Sequence, residues 1–259
     1  MSGHLEPTDL DAMLKRLHLP TVRRLYPDLA IRAEAEGMSY RGFLEILISE
    51  EIAHRAQTRI TRSVRKARFP FLRTIEEFDF TFQNSIRLQM LGTLLGPELV
   101  SEGRGAIVSG PPGRGKTHLA VAIAYRAIQN GFEARFTTAD ELIGDLSSAA
   151  RRGQLEEALE PYIHPHVLVV DELGYQSYAA DAANVLFRVV SVRHLKRRPI
   201  LVTTNKPLAA LGQVLHDADL VEAILDRLLE RGTHYVLRGR SFRTRHQKEE
   251  PPPLSEDAA

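Results

Sequence analysis

Cysteine is absent from all 259 residues. That excludes disulfides and thiolate metal sites, and nothing points to an oxidising compartment. No run of about 18 apolar residues occurs, so no transmembrane helix and no membrane partner are expected. The opening residues, MSGHLEPTDLDAML, have no cationic start followed by an apolar stretch, so no secretory signal is expected either. These absences together predict a cytoplasmic protein. Internal repeats, helix-turn-helix patterns and zinc-finger spacings are also missing, so little sequence specificity is expected of any nucleic-acid contact.

What is present is ordinary for a globular chain. Apolar residues make up 43% and charged residues 26%, which excludes wholesale disorder. The length suits one sizeable domain plus an appendage, since domains run to roughly 100–200 residues.

The formal net charge of +1 hides an uneven distribution. No acidic residue lies between Glu51 and Glu76, whereas Arg55, Arg59, Arg62, Arg65, Lys66, Arg68 and Arg73 do. Ala182 to His216 and Arg231 to Lys248 are likewise free of acids and rich in Arg and Lys. Such blocks are candidate surfaces for a phosphate backbone.

Residues 8–68 carry helical periodicity. Thr8 is placed to cap a first helix, Pro20 separates it from a second, Gly37 closes the second, and Ser39 is placed to cap a long third. Pro70 ends this block, and Arg73 to Phe80 reads as a connector. From Ala106 onward, short apolar runs alternate with helical stretches. The runs are AIVS (106–109), ARFTT (134–138), VLVV (167–170), ILVTT (200–204) and HYVL (234–237). This alternation predicts an α/β fold, a five-stranded parallel sheet sandwiched by helices and preceded by a small all-α domain. The expected boundaries are 1–70 for a helical DNA- or partner-binding domain, 71–105 for a linker and helix, 106–247 for the core, and 248–259 for a disordered proline-rich tail.

The sharpest motif is Gly110-Pro111-Pro112-Gly113-Arg114-Gly115-Lys116-Thr117, which matches the phosphate-loop pattern G-x-x-x-x-G-K-[ST] completely. It follows the run AIVS and opens a helix through Leu119, Val121 and Ile123. In that setting backbone N–H groups turn inward around phosphates, and the helix N-terminus adds partial positive charge. Lys116 is placed to reach the outer phosphates and Thr117 to ligate magnesium. Asp171-Glu172 ends the run VLVV, at the sheet edge where such folds bind ligands. Asp171 is expected to hold magnesium through water and Glu172 to polarise the attacking water. Asn205, after ILVTT, is a further polar side chain at a strand end, although Asn is also a common turn former. On chemistry alone, Arg227 reads as a partner of Glu222, Asp226 or Glu230, and Arg243 as one of a solvated basic run.

In this order the motifs resemble the AAA+ ATPases, and specifically the IstB/DnaC branch. The carriers are GKTHLA, DELGY, DRL and GRSFR, with ARFP (67–70) and EFDF (77–80) resembling the N-terminal region of IstB-type transposition helpers. The resemblance spans about residues 10–245. It implies that Gly110 to Thr117 are Walker A, Asp171 and Glu172 Walker B, Asn205 sensor 1, Arg227 a finger acting on a neighbouring subunit's ATP, and Arg243 sensor 2. It implies a DNA-stimulated ATPase that forms a homo-oligomer on duplex DNA, deforms it, and recruits or stimulates a cognate transposase. The alternative it leaves is a DnaC-like loader of a replicative helicase. A small-molecule kinase lacks a visible acceptor pocket, and the intact Walker pair argues against a non-hydrolysing scaffold. One departure stands out: only 16 residues follow Arg243, so no ordinary helical lid is expected and the N-terminal block is a candidate to help close the site. Phe78 and Phe80 read either as neighbours of the adenine or as core packing.

For DNA, Arg55, Arg59, Arg62 and Lys66 fall at i, i+4, i+7 and i+11 of the third helix, one face, with Arg65 beside them. Such a stripe suits phosphate contact, or is simply a solvated face. Arg193 to Arg198, with Arg197 and Arg198 as the chosen contacts, is the second candidate.

Overall fold

The computed structural model describes residues 7–176 and 178–243, with side chains from Leu10 onward. The tail expected to be disordered, 248–259, lies outside the described residues. Two compact units meet in sequence at Arg62 and Ser63.

The first unit holds α1 (Pro7–Arg16), α2 (Pro20–Ala35) and most of α3 (Tyr40–Ala67). Helix α1 (Pro7–Arg16) already includes Thr8, which is therefore within the helix and not at the expected cap position. Pro20 is the first residue of α2, where its fixed φ suits a helix start. Gly37 at φ 64° closes α2, with Met38 N–H on Ala33 O at 2.9 Å. The Ser39 hydroxyl accepts the Gly42 N–H at 3.1 Å and caps α3 as expected. Leu14, Val22, Leu29 and Leu47 form the core of this unit. Beside it sits a buried carboxylate. Glu51 accepts the N–H groups of Thr21 (2.9 Å) and Val22 (3.3 Å), the free donors of the first turn of α2. Arg55 donates to the same carboxylate at 2.8 Å and to the His18 carbonyl. Burial pushes the Glu51 carboxyl up, but Arg55 and the two N–H bonds outweigh it and hold the pKa below its usual value.

In the second unit an irregular stretch leads through α4 (Gly92–Leu95) and α5 (Glu98–Ser101) into the sheet. The alternation then runs β1 (Ala106–Ser109), α6 (Lys116–Gln129), β2 (Ala134–Thr138), α7 (Ala139–Arg151), α8 (Leu155–Ile163), β3 (Val167–Leu173), α9 (Ala182–Leu195), β4 (Ile200–Thr204), α10 (Leu211–Val214), α11 (Ala218–Glu230) and β5 (Thr233–Val236). The sheet order is β2-β3-β4-β1-β5, and every pair is parallel. Alternate residues divide the core. Leu168 and Val170 pack with α7, α9 and α11, while Val167 and Val169 point to the opposite face. Burial on both faces explains why the central strands β1, β3 and β4 read as largely apolar runs.

Register positions the site. Ser109 pairs with Thr204 and Val236, and Thr138 with Asp171. Gly110, Asn205 and the Asp171-Glu172 pair therefore emerge at one edge of the sheet, at its C-terminal side. Among the described residues no helix is long and apolar enough to cross a membrane.

Candidate functional site

The loop Gly110 to Gly115 turns out of β1 into the N-terminus of α6. Gly110 has φ 147°, and a side chain there would meet the Leu237 carbonyl at 2.2 Å. Gly115 has φ 88°, and a Cβ there would lie 2.9 Å from the Phe78 ring. Both positions need glycine for conformation and for space. Lys116 Nζ donates to the Pro111 carbonyl at 3.0 Å. Burial lowers the Lys116 pKa, with the Asp171 and Glu172 carboxylates opposing the shift.

Thr117 Oγ1 lies 3.0 Å from both carboxylate oxygens of Asp171, which is 5% exposed. The Thr203 hydroxyl also donates to Asp171, and it accepts the Glu172 N–H at 3.0 Å. Burial pushes the Asp171 carboxyl up, against the bonds from Thr203 and Thr117 and the charge of Lys116. Glu172 is held at φ 60°, an uncommon conformation for a residue with a side chain, and is exposed to the cavity. Strand β3 runs to Leu173, three residues past the apolar run, because pairing resumes at Leu173–Thr204 after a register shift.

These groups face a cavity of about 930 Å³. Lys116, Thr117, Asp171, Glu172, Asn205 and Arg243 all line it. Asn205 Oδ1 is buried there with no hydrogen-bond partner among the described residues, an acceptor that fits a bound donor such as water. The Phe242 N–H donates to the Gly113 carbonyl at 2.8 Å, which ties the segment carrying Arg243 to the chain's own phosphate loop.

The opposite wall comes from the segment after Pro70. Gln83 Nε2 donates to the Arg114 carbonyl at 3.2 Å, and His118 Nε2 is 3.0 Å from the Thr74 carbonyl. Phe78 packs edge-on against His118, with ring centroids 5.2 Å apart, and Phe82 against Phe242 at 5.4 Å. Phe78 thus lines the cavity and is buried as well, whereas Phe80 does not line it. Thr203, Gln83, His118 and Phe242 were missed as site residues. Thr203 stands at a strand end beside Asn205, and His118 and Phe242 lie inside the motifs GKTHLA and GRSFR; Gln83 carried no signal.

Arg227 lies elsewhere. It lines a recess with Gly103, Gly105, Pro199 and Ile200, at the N-terminal ends of β1 and β4. A four-residue strand spans about 13 Å, so Arg227 is beyond reach of its own phosphate loop. It makes no ion pair with Glu222, Asp226 or Glu230; Glu230 instead meets His194 at 2.6 Å and Arg231 at 3.2 Å.

The basic blocks need two corrections. Arg55 is bound into the first unit by Glu51 and His18, so it is withdrawn from the stripe. Arg59, Arg62, Arg65 and Lys66 are exposed and have no ion pair among the described residues. In the second block Arg193 is fully buried and donates to the carbonyls of Tyr162, Pro165, His166 and Pro199 at 2.8–2.9 Å. It joins the loops leading into β3 and β4, and burial pulls its pKa down. Arg198 is spent on the carbonyls of Ile163 and His164; Arg197 remains exposed.

The fold matches solved structures. AMPPCP-bound DnaA from Aquifex aeolicus aligns with TM-score 0.54 at 21% identity, over 66% of this chain and about half (51%) of that one. DnaI aligns with TM-score 0.55 at 19% identity, over 67% of this chain and 93% of that one. The fold is that of an AAA+ P-loop NTPase. In sequence, the chain is 35% identical over 233 residues to a protein of Geobacillus stearothermophilus named as a candidate ATP-binding protein of insertion sequence IS5376, covering 90% of this chain and 92% of that one. It is 33% identical over 240 residues to the corresponding protein of insertion sequence IS21 from Pseudomonas aeruginosa, covering 93% and 90%. Residues 12–250 match the IstB-like ATP binding protein family, and the chain belongs to that family.

Proposed function

We propose that the chain is a DNA-stimulated ATPase that assembles as a homo-oligomer on duplex DNA, deforms it, and recruits or stimulates a transposase. The observation that carries the ATPase reading is the convergence of Lys116, Thr117, Asp171, Glu172 and an unpartnered Asn205 acceptor on one cavity at the sheet edge. The names of the relatives, proteins of insertion sequences, support the transposition reading.

In this reading the loop N–H groups and Lys116 bind the ATP phosphates. Thr117 Oγ1 and, through water, Asp171 would hold Mg²⁺, which would neutralise charge on the outer phosphate oxygens. Their 3.0 Å spacing and acceptor-rich chemistry suit a hard divalent cation. Glu172 takes the proton of the attacking water, and Asn205 Oδ1 orients that water by accepting its other O–H. Arg243 stabilises charge on the chain's own nucleotide, and Arg227 acts on the ATP of a neighbouring copy. Arg59, Arg62, Arg65, Lys66 and Arg197 contact DNA phosphates, with residues up to about 70 serving as the DNA- or partner-binding region.

The test is the steady-state rate of ATP hydrolysis with and without duplex DNA. The parent is expected to be stimulated by DNA, and Lys116→Ala to lose ATP binding while melting normally. A parent that binds ATP but never hydrolyses it, on any duplex, would overturn the proposal. A pull-down with a transposase and with a replicative helicase separates this function from helicase loading.

A further inference from the structure

Among the described residues the half-buried Arg227 makes one ring contact and one hydrogen bond, both within its own subunit. Its guanidinium carbon lies 4.8 Å from the centroid of the Phe187 ring, and Nη1 donates to the Ala223 carbonyl at 2.8 Å. Three acids on the same helix offer themselves at close sequence spacing, yet none takes it. Glu222 and Asp226 are exposed, and Glu230 is engaged by His194 on α9 and by Arg231. A guanidinium held over a ring face, with one N–H given to a carbonyl, keeps its other in-plane donors free and its charge unneutralised. That is the state needed to meet an anionic oxygen in two-point geometry. The ring itself is anchored: Phe187 sits on α9, which packs against α11, and it packs against the main core cluster.

We propose that Phe187 is a positioning residue for Arg227, holding its guanidinium away from the acids of α11 and aimed at the phosphates bound by a neighbouring copy. The inference rests on the trans reading of Arg227 given above. Phe187 acts through Arg227 and touches no nucleotide of its own subunit, since it stacks on a residue beyond reach of its own loop.

The experiment uses full-length Phe187→Leu and Phe187→Tyr, with Phe187→Met as a second aliphatic variant should the leucine form not fold. Loss of the ring face is expected to lower kcat about tenfold with ATP affinity unchanged, the scale of one partly buried cation–π contact. Phe187→Tyr keeps the face and is expected to keep the rate. A purely structural role predicts no particular pattern on mixing, whereas positioning predicts a definite one. If subunits pair at random, an equal mixture of Phe187→Leu with Lys116→Ala should rise to about three times the rate of Phe187→Leu alone at the same total protein, because mixed interfaces join an intact phosphate loop to a correctly held arginine. An equal mixture with Arg227→Ala should instead fall to about half, since neither subunit offers a positioned arginine. A parental kcat for the aliphatic variants, a tyrosine variant as slow as leucine, or recovery with Arg227→Ala would overturn the proposal. Failure of the underlying reading is recognised separately: Arg227→Ala would then hydrolyse ATP at the parental rate, or its mixture with Lys116→Ala would stay inactive.

Discussion

The Thr203 hydroxyl donates to the Asp171 carboxylate and accepts the N–H of Glu172 at 3.0 Å. One side chain on β4 therefore fixes both acids of the neighbouring strand end, and it stabilises the φ 60° backbone that turns Glu172 toward the cavity.

Thr203→Val keeps the shape and removes the hydroxyl. The part-buried Glu172 N–H and the Asp171 carboxylate then lose this partner, at a cost of about 1–3 kcal/mol. Hydrolysis is expected to slow by about tenfold or more while ATP still binds within a few-fold of the parent. Single-turnover rates with equilibrium nucleotide binding check this; unchanged hydrolysis would remove Thr203 from the site.

The exposed stripe gives a second prediction. Reversing Arg59, Arg62 and Lys66 to Glu should weaken binding to all duplexes alike. It should also flatten the slope of log affinity against log salt by about 3, near 0.9 for each phosphate that is no longer neutralised. Affinity measured across a salt series decides it, and a parental slope would leave the stripe a solvated face. Arg55 belongs outside that set, because its guanidinium is held by Glu51 and the His18 carbonyl.

Glu51 supplies the third prediction. Its folded pKa is depressed below the ordinary 4.5, so its contribution is present above about pH 4.5 and is lost as pH falls through the folded value. Glu51→Gln should destabilise the α2–α3 packing by about 2 kcal/mol at neutral pH, with the gap to the parent narrowing in acid. Thermal melts of both proteins at pH 7 and pH 4 test this; a gap independent of pH would contradict it.

The central strands were legible because a strand buried on both faces is largely apolar. Ala106–Ser109, Ala134–Thr138 and Ile200–Thr204 begin and end where the runs do. The phosphate loop and the Asp171-Glu172 pair were legible because their chemistry restricts residue type at fixed spacing. The wall built by Thr74, Phe78 and Gln83 was not, since its bonds reach backbone carbonyls and rings far along the chain and impose no periodicity. Arg193 misled for a related reason: five backbone carbonyls hold a buried guanidinium without leaving any acidic partner in the sequence. Arg55 read as part of a surface stripe because helical spacing reports a face and is silent on what that face touches.

Glu172→Gln tests the central claim most directly. The amide keeps the size of the side chain and loses the base. In the presence of duplex DNA, its ATP turnover should fall by about a hundredfold or more, with ATP affinity close to the parent and protein retained on DNA in the ATP-bound state. Turnover at the parental rate, with ATP bound normally, would contradict the assignment of this cavity as the site of hydrolysis.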